Sequence, residues 1–170
     1  MNPSKNNHLY FWAKTIDGLP GISVLDHCLN VGTVAQALLR RIHPLVTDGV
    51  ATMAAAHDVG KISPGFESKS DAWTKMHAHL GPFIGCETDH AKISQLVVQQ
   101  LLNQDERLFD WAVAVGAHHG KIKGKRITKF TLNGSIGGKI WDEYRLELAQ
   151  DLIAWSVQRL DNAFFGFATR

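Results

Sequence analysis

The stretch from Asp48 to Val59 (DGVATMAAAHDV) is apolar on nearly every helical face until it ends in an adjacent histidine and aspartate. A helix that is apolar all round has to be enclosed by other elements. The stretch therefore predicts a buried central helix, with His57 and Asp58 at its end. Gly60 follows where a C-cap glycine belongs. Neutral imidazole and carboxylate are good ligands for first-row divalent metals. A carboxylate can also bridge two ions. Lys61 could place a point charge beside a phosphate. The bland alternative for the His57-Asp58 pair is capping of the helix end.

The rest of the chain supplies the enclosing helices. Leu25, Leu29, Val31, Val34, Ala35, Leu38, Leu39 and Ile42 recur at spacings of three and four, one face of a helix. They predict a helix from Val24 to His43, N-capped by Ser23 and ended by Pro44. Further helices are expected from Thr88 to Leu102, over 105–117, and from Ile140 to Phe165, with a short one over 71–79. Residues 9–23 and 80–87 read as loops, and 61–70 as a connector. The one place where strand is expected is a short hairpin near 126–132. With no internal repeat and no domain boundary, the 170 residues read as one all-α domain, long enough to bury a core.

Composition narrows the function only by exclusion. Net charge is +2, so a nucleic-acid role must rest on a local patch. One such patch is Lys121, Lys123, Lys125, Arg126 and Lys129, which can track a phosphate backbone or form a solvated loop. Cys28 and Cys86 are too few for a disulfide framework or a thiolate zinc cluster. They read as small buried apolar residues in a reducing cytosol. Met1 to His8 is polar, without the apolar core of a signal peptide. No apolar run reaches the about 20 residues that span a bilayer, so the expectation is a soluble cytoplasmic protein with no membrane partner. Trp73 and Trp111 can stack on bases, although core packing is the plainer role.

The nine histidines matter through their placement. His27 lies near the start of the first helix and His90 near the start of the third. His57 and Asp58 end the central helix, and His118 and His119 end the fourth. A lone histidine at a helix start is more often structural than a ligand. Jointly, however, these groups sit at the ends of separate helices, and helix ends can converge on one cleft. His8, His43, His77 and His79 lack this placement and read as surface residues.

The ordered set resembles the HD superfamily of phosphohydrolases, and more closely the HD nuclease domain of the CRISPR-associated type I helicase–nuclease. The resemblance is carried by Tyr10-Phe11-Trp12-Ala13-Lys14-Thr15, by His27, by HDVGK with the following Ser63-Pro64-Gly65-Phe66-Glu67-Ser68-Lys69, by His90 with Ser94, and by GAHHG. It covers roughly residues 9–120. It implies an HD-domain helical bundle that binds two divalent transition-metal ions (manganese, iron, nickel or cobalt, with magnesium possible). His27, His57 and Asp58 would hold one ion, and Asp58, His90, His118 and His119 the other, with Asp58 bridging. The implied reaction is cleavage of single-stranded DNA, with Asp58, Lys61 and His57 as candidate catalytic groups and Lys121, Lys123, Lys125 and Arg126 as candidate strand contacts.

The sequence departs from the family in two ways. The family carries one more metal-binding aspartate on a late helix, for which Asp161 in QRLDNAFFG is the candidate here. The alternative is that the true counterpart is missing. The chain also has no P-loop pattern, so unwound strand is expected from a separate helicase subunit or a CRISPR interference complex. Two other functions stay open: a truncated HD homologue that regulates or binds the interference machinery, and an HD phosphohydrolase of nucleotides. The second fits poorly with so many histidines.

Overall fold

The computed structural model describes residues 10–42, 49–83, 89–102, 106–122, 124–129 and 134–167, without the side chains of Ile42, Arg107 and residues 157–167. Ser23 caps the first helix as its sequence predicts. Its Oγ accepts from the Asp26 backbone N–H at 3.0 Å and donates to the Asp26 carboxylate at 2.7 Å. Helix α1 (Val24–Ile42) follows; His43 and Pro44, its expected end, lie outside the described residues. Next come α2 (Val50–Ala55), α3 (Pro64–Glu67), α4 (Asp71–Met76), α5 (His90–Leu101), α6 (Phe109–Gly116) and α7 (Lys139–Phe167). Single 3-10 turns at Ala78–Leu80 and Glu106–Leu108 precede the loops or helices they join. Helices α3 and α4 are opened by Ser63 and Ser70, whose hydroxyls accept from the N–H groups of Phe66 and Trp73. The architecture is all-α, and among the described residues no helix is long and apolar enough to cross a membrane.

Two expectations are corrected. The segment read as a loop over 9–23 contains an antiparallel hairpin, β1 (Thr15–Ile16) paired with β2 (Leu19–Pro20) in the register Thr15↔Pro20 and Ile16↔Leu19. Asp17 and Gly18 form its tip with φ of 52° and 80°. These are the left-handed conformations of a two-residue hairpin turn, which Asp-Gly adopts most readily. The ladder runs on through Ala13 N–H to Ile22 O at 2.8 Å and an isolated bridge between Trp12 and Ser23. The hairpin expected near 126–132 is not seen over 126–129, which carries no strand; residues 130–133 lie outside the described set.

The central helix also differs from its expected form. It is α-helical only to Ala55 and tightens into a 3-10 turn over Ala56–Lys61. Gly60 sits inside that turn and is no C-cap. Its role is contact: a Cβ there would lie 2.3 Å from both His90 O and Ser94 N. The Gly60 N–H donates to Ser94 Oγ at 2.9 Å. Hydrogen in place of a methyl thus lets the turn lie directly on the first turn of α5. On the other side Gly32 of α1 meets Ala55 and Trp155, where an added Cβ would come within 2.8 and 2.7 Å.

Helices α1, α5, α6 and α7 pack around α2 and its turn. The core runs from Val24, Cys28 and Ala55 through Val59 and Ile93 to Leu148. An aromatic group joins the N-terminal segment to it, with the Phe11 ring 5.1–5.5 Å from Trp73, Trp141 and Tyr144. Trp73 is a core residue, its Nε1 donating to Tyr10 O at 2.9 Å, and Trp111 is half-buried. Cys28 is fully buried, and burial first, then the charge of Asp58, pushes its thiol up to about 12; Cys86 lies outside the described residues. Arg145, 2% exposed, ties α7 down by donating to Ile62 O at 2.7 Å, Ile136 O at 2.8 Å and Asp142 Oδ1 at 2.6 Å. Thr52 and Ser156 hydroxyls meet at 2.8 Å. Helix α7 therefore runs antiparallel to α2, from the His57 end toward its start.

Candidate metal centre

A 3-10 turn stacks residue i over i+3. Tightening over Ala56–Lys61 therefore sets Lys61 over Asp58, and Lys61 Nζ lies 2.8 Å from Asp58 Oδ2. The same ammonium donates to Ala13 O at 3.0 Å. Lys61 is buried between the carboxylate and the N-terminal segment, so its charge is spent inside the protein.

Asp58 is 3% exposed, and four imidazoles converge on it. His27 Nε2 and His57 Nε2 lie 2.8 and 3.1 Å from Oδ2. His90 Nε2 and His118 Nε2 lie 3.0 and 3.3 Å from Oδ1. His27 comes from the first turn of α1 and His90 opens α5. His118 and His119 follow α6 in a turn closed by Gly120 N–H to Ala117 O at 2.7 Å. They are therefore past the helix, free of the about 100° spacing that neighbours on it would keep. Their rings meet edge to face at 4.3 Å, and His119 stands 4.8 Å from the His90 ring. The ligating atoms form two groups, His27 with His57 and Asp58, and His90 with His118 and His119; within each they lie no more than 4.8 Å apart.

Hydrogen bonds decide which ring nitrogens face inward. His57 Nδ1 is 2.8 Å from Ala54 O, and His118 Nδ1 is 2.7 Å from Val115 O. A carbonyl oxygen only accepts, so both Nδ1 atoms carry the proton. In the neutral rings both Nε2 atoms then present lone pairs. Those lone pairs face a carboxylate and, for His118, the Nε2 of His90 at 3.4 Å. Lone pair against carboxylate is repulsive unless a proton or a metal ion lies between. Asp58 Oδ1 is buried and accepts no well-oriented hydrogen bond among the described residues, despite its two imidazole neighbours. The donor set of imidazoles around one carboxylate suits divalent transition ions, and the backbone carbonyls behind two of the rings are the outer shell that orients metal-binding histidines.

The electrostatics agree. Burial alone would raise the Asp58 pKa, but the surrounding imidazoles, His118 foremost and then His27, His57 and His90, hold it far below the usual carboxylate range, which they do only with positive charge, a proton or a metal ion, on the side of their Nε2 atoms. Burial lowers His90 and His119. For His118 burial is outweighed by Asp58 and the Val115 carbonyl, and its pKa rises. A carboxylate kept ionised at this depth needs positive charge around it.

The remaining candidates fall elsewhere. Asp161 is on α7 with its side chain outside the described residues, and Lys123 is also outside them. Lys121 and Lys125 are exposed. Arg126 pairs with Glu106 and lies over the Phe109 ring, and Lys129 reaches Asp142 at 2.8 Å. The stretch is fastened to α5: Gln95 Nε2 donates to Lys125 O, and Gln99 exchanges hydrogen bonds with the backbone of Ile127. His77, read as a surface residue, is half-buried and stacks on Trp73 at 4.2 Å, while His79 is exposed; His8 and His43 lie outside the described residues.

Sequence reasoning missed Glu67. It is fully buried, and neither carboxyl oxygen has a well-formed hydrogen bond among the described residues. Nothing in a one-residue reading marks an acid as buried. The Ser63-to-Lys69 run around it was the only signal.

A protein-family model described as "Cas3, HD domain" matches residues 12–165. Comparison with curated proteins and with solved structures finds no match.

Proposed function

Because the chain belongs to the Cas3 HD-domain family, whose role in CRISPR is that of a metal-dependent nuclease, we propose that it cleaves single-stranded DNA through a two-ion centre built on Asp58. The whole chain would act as one HD domain in the cytoplasm. It would work beside a separate helicase subunit or an interference complex that delivers unwound strand.

The observation that supports this best is the pair of Nδ1 bonds to Ala54 O and Val115 O, which aim lone pairs of His57 and His118 at a buried carboxylate. His27, His57 and Asp58 would hold one ion; Asp58, His90, His118 and His119 the other, with manganese, iron, nickel or cobalt favoured over magnesium by the imidazole donors. When bound, such ions supply Lewis acidity to a phosphodiester and to the attacking water. The chain's own contribution is placement. Lys61 pairs with Asp58 and holds it in place, and the two carbonyls hold the rings. His119, the exposed member, faces the side from which substrate enters. Lys121, Lys123 and Lys125 would receive the strand backbone, with Arg126 joining them only by exchanging Glu106 for a phosphate. Asp161 is the candidate for a further ligand.

The test is cleavage of circular and linear single-stranded DNA with manganese, nickel or cobalt, with EDTA, and with Asp58→Ala. Metal-dependent cutting of the circle that the substitution abolishes is expected. Folded protein that cuts under no metal refutes the nuclease reading. A second reading, a catalytically weak homologue that regulates the interference machinery, draws on the course of α7, which leads from the His57 end of α2 past Thr52 before Asp161 is reached. Metal stoichiometry separates the two: two ions per chain for the nuclease, one or none for the regulator.

A further inference from the structure

We infer that Lys69 contacts a phosphate flanking the one held at the metal centre, so that a single strand leaves the centre across Phe66. The inference rests on the nuclease reading above for the identity of the ligand.

Phe66 of α3 is buried beside the site: its ring meets the His90 ring at 5.0 Å in a T-shaped contact and the Trp12 ring at 4.8 Å. Two ammonium groups lie over this one ring, Lys61 Nζ at 5.1 Å from its centroid and Lys69 Nζ at 4.6 Å. They differ in what else they meet. Lys61 is buried and answered by Asp58 and Ala13 O. Lys69 is exposed. Among the described residues its ammonium makes no hydrogen bond and has no carboxylate within ion-pair distance. A contact with a ring face uses none of the ammonium's N–H donors. Lys69 therefore keeps all its donors and its charge at the rim, one ring away from a metal-centre histidine.

Two like charges over one aromatic ring repel, and the pair persists only with counter-charge. Asp58 supplies it for Lys61. For Lys69, burial and the charge of Lys61 work against the ammonium, and Asp89 helps it only from a distance. A phosphate oxygen would supply the close counter-charge that no described residue gives Lys69. The Lys69 ammonium is meanwhile already placed over the ring, so less side-chain freedom is lost on binding. The basic stretch after His119 has less to offer than its composition suggests, since Arg126 and Lys129 are already paired.

The test uses the full chain loaded with manganese and a fluorescent oligothymidylate made cleavage-resistant by phosphorothioate linkages. Binding is followed by anisotropy over a series of salt concentrations. Lys69→Met is expected to weaken binding about tenfold and to reduce the slope of log affinity against log salt by about 0.7, the loss of one single-strand phosphate contact. Lys69→Arg should restore both, and Lys75→Met, at an exposed lysine on α4, should change neither. Equal binding by Lys69→Met and the wild type overturns the inference. So does a wild type that does not bind the strand, or a Lys69→Met protein with a lowered Tm and an unchanged salt slope. Cleavage of the unmodified oligonucleotide is read separately. Strand that is bound through Lys69 but never cut would defeat the nuclease reading and leave this contact standing.

Discussion

Asp58 carries more of the structure than a ligand in a preformed pocket would. Its charge offsets the buried Lys61, whose other polar partner is a single carbonyl. Asp58→Asn is therefore expected to lower metal affinity by orders of magnitude. It should also cost about 3 kcal/mol of stability, because it leaves a buried ammonium without its counter-ion. Urea denaturation of Asp58→Asn, Lys61→Met and the double variant checks this, with the double expected to recover part of the loss. Glu67 gives a prediction of opposite sense. Burial pushes its carboxyl well above the ordinary glutamate value, with the Trp12 backbone N–H and Lys61 only partly opposing. A raised folded-state pKa means that the folded protein holds a proton the unfolded chain has released. Stability from this group is complete below about pH 4.3 and falls by about 1.4 kcal/mol per pH unit as pH rises toward the folded pKa. Glu67→Gln should thus be more stable than wild type at pH 8, with the gap closing toward pH 4. Tm measured across that range reads it, and a gap of constant size would show that the carboxyl is not held neutral.

At the scale of elements, the site depends on one contact, that of the Ala56–Lys61 turn with the start of α5. Gly60→Ala puts a methyl 2.3 Å from two backbone atoms, and backbone cannot rotate away as a side chain can. A loss of about 1–3 kcal/mol is expected from the overpacking, together with weaker metal binding as His90 is pushed off Asp58. Denaturation and metal titration of the same sample test both. Ser94→Ala should cost about 1–3 kcal/mol by leaving the buried Gly60 N–H without its acceptor, with a smaller effect on metal affinity. Helical periodicity places α1, α5 and α7 within two residues of their ends where described. It could not see the change from α to 3-10 after Ala55, since a run of apolar residues on nearly every face carries no period that tells the two forms apart. The Thr15–Pro20 hairpin was legible in principle, from Asp17-Gly18 between apolar neighbours, but Gly and Pro nearby read equally well as a loop. The helix-end logic brought His27, His57, Asp58, His90, His118 and His119 to one place. Residues that act through tertiary packing alone, such as Arg145, carry no sequence mark of their own.

For the whole molecule, the candidate ligands come from α1, the Ala56–Lys61 turn, α5 and the turn after α6, so metal binding and folding would be linked. Manganese at about one hundred times its Kd should add about 2.7 kcal/mol of stability, seen as a rise in Tm that EDTA reverses and that Asp58→Asn lacks. The centre is fastened to the fold in an uneven way. His57 and His118 each donate to a carbonyl in the last turn of a helix, Ala54 in α2 and Val115 in α6, so each also finishes a helix end. No such bond to His27 or His119 is found among the described residues. In a lineage of this protein released from selection for catalysis, selection for folding would still keep His57 and His118. His119, exposed and bound to no backbone group, would be replaced early. The histidines that make the motif most recognisable are thus poor witnesses to activity, and His119 with His27 are the positions where a dormant descendant would first be told from a working one.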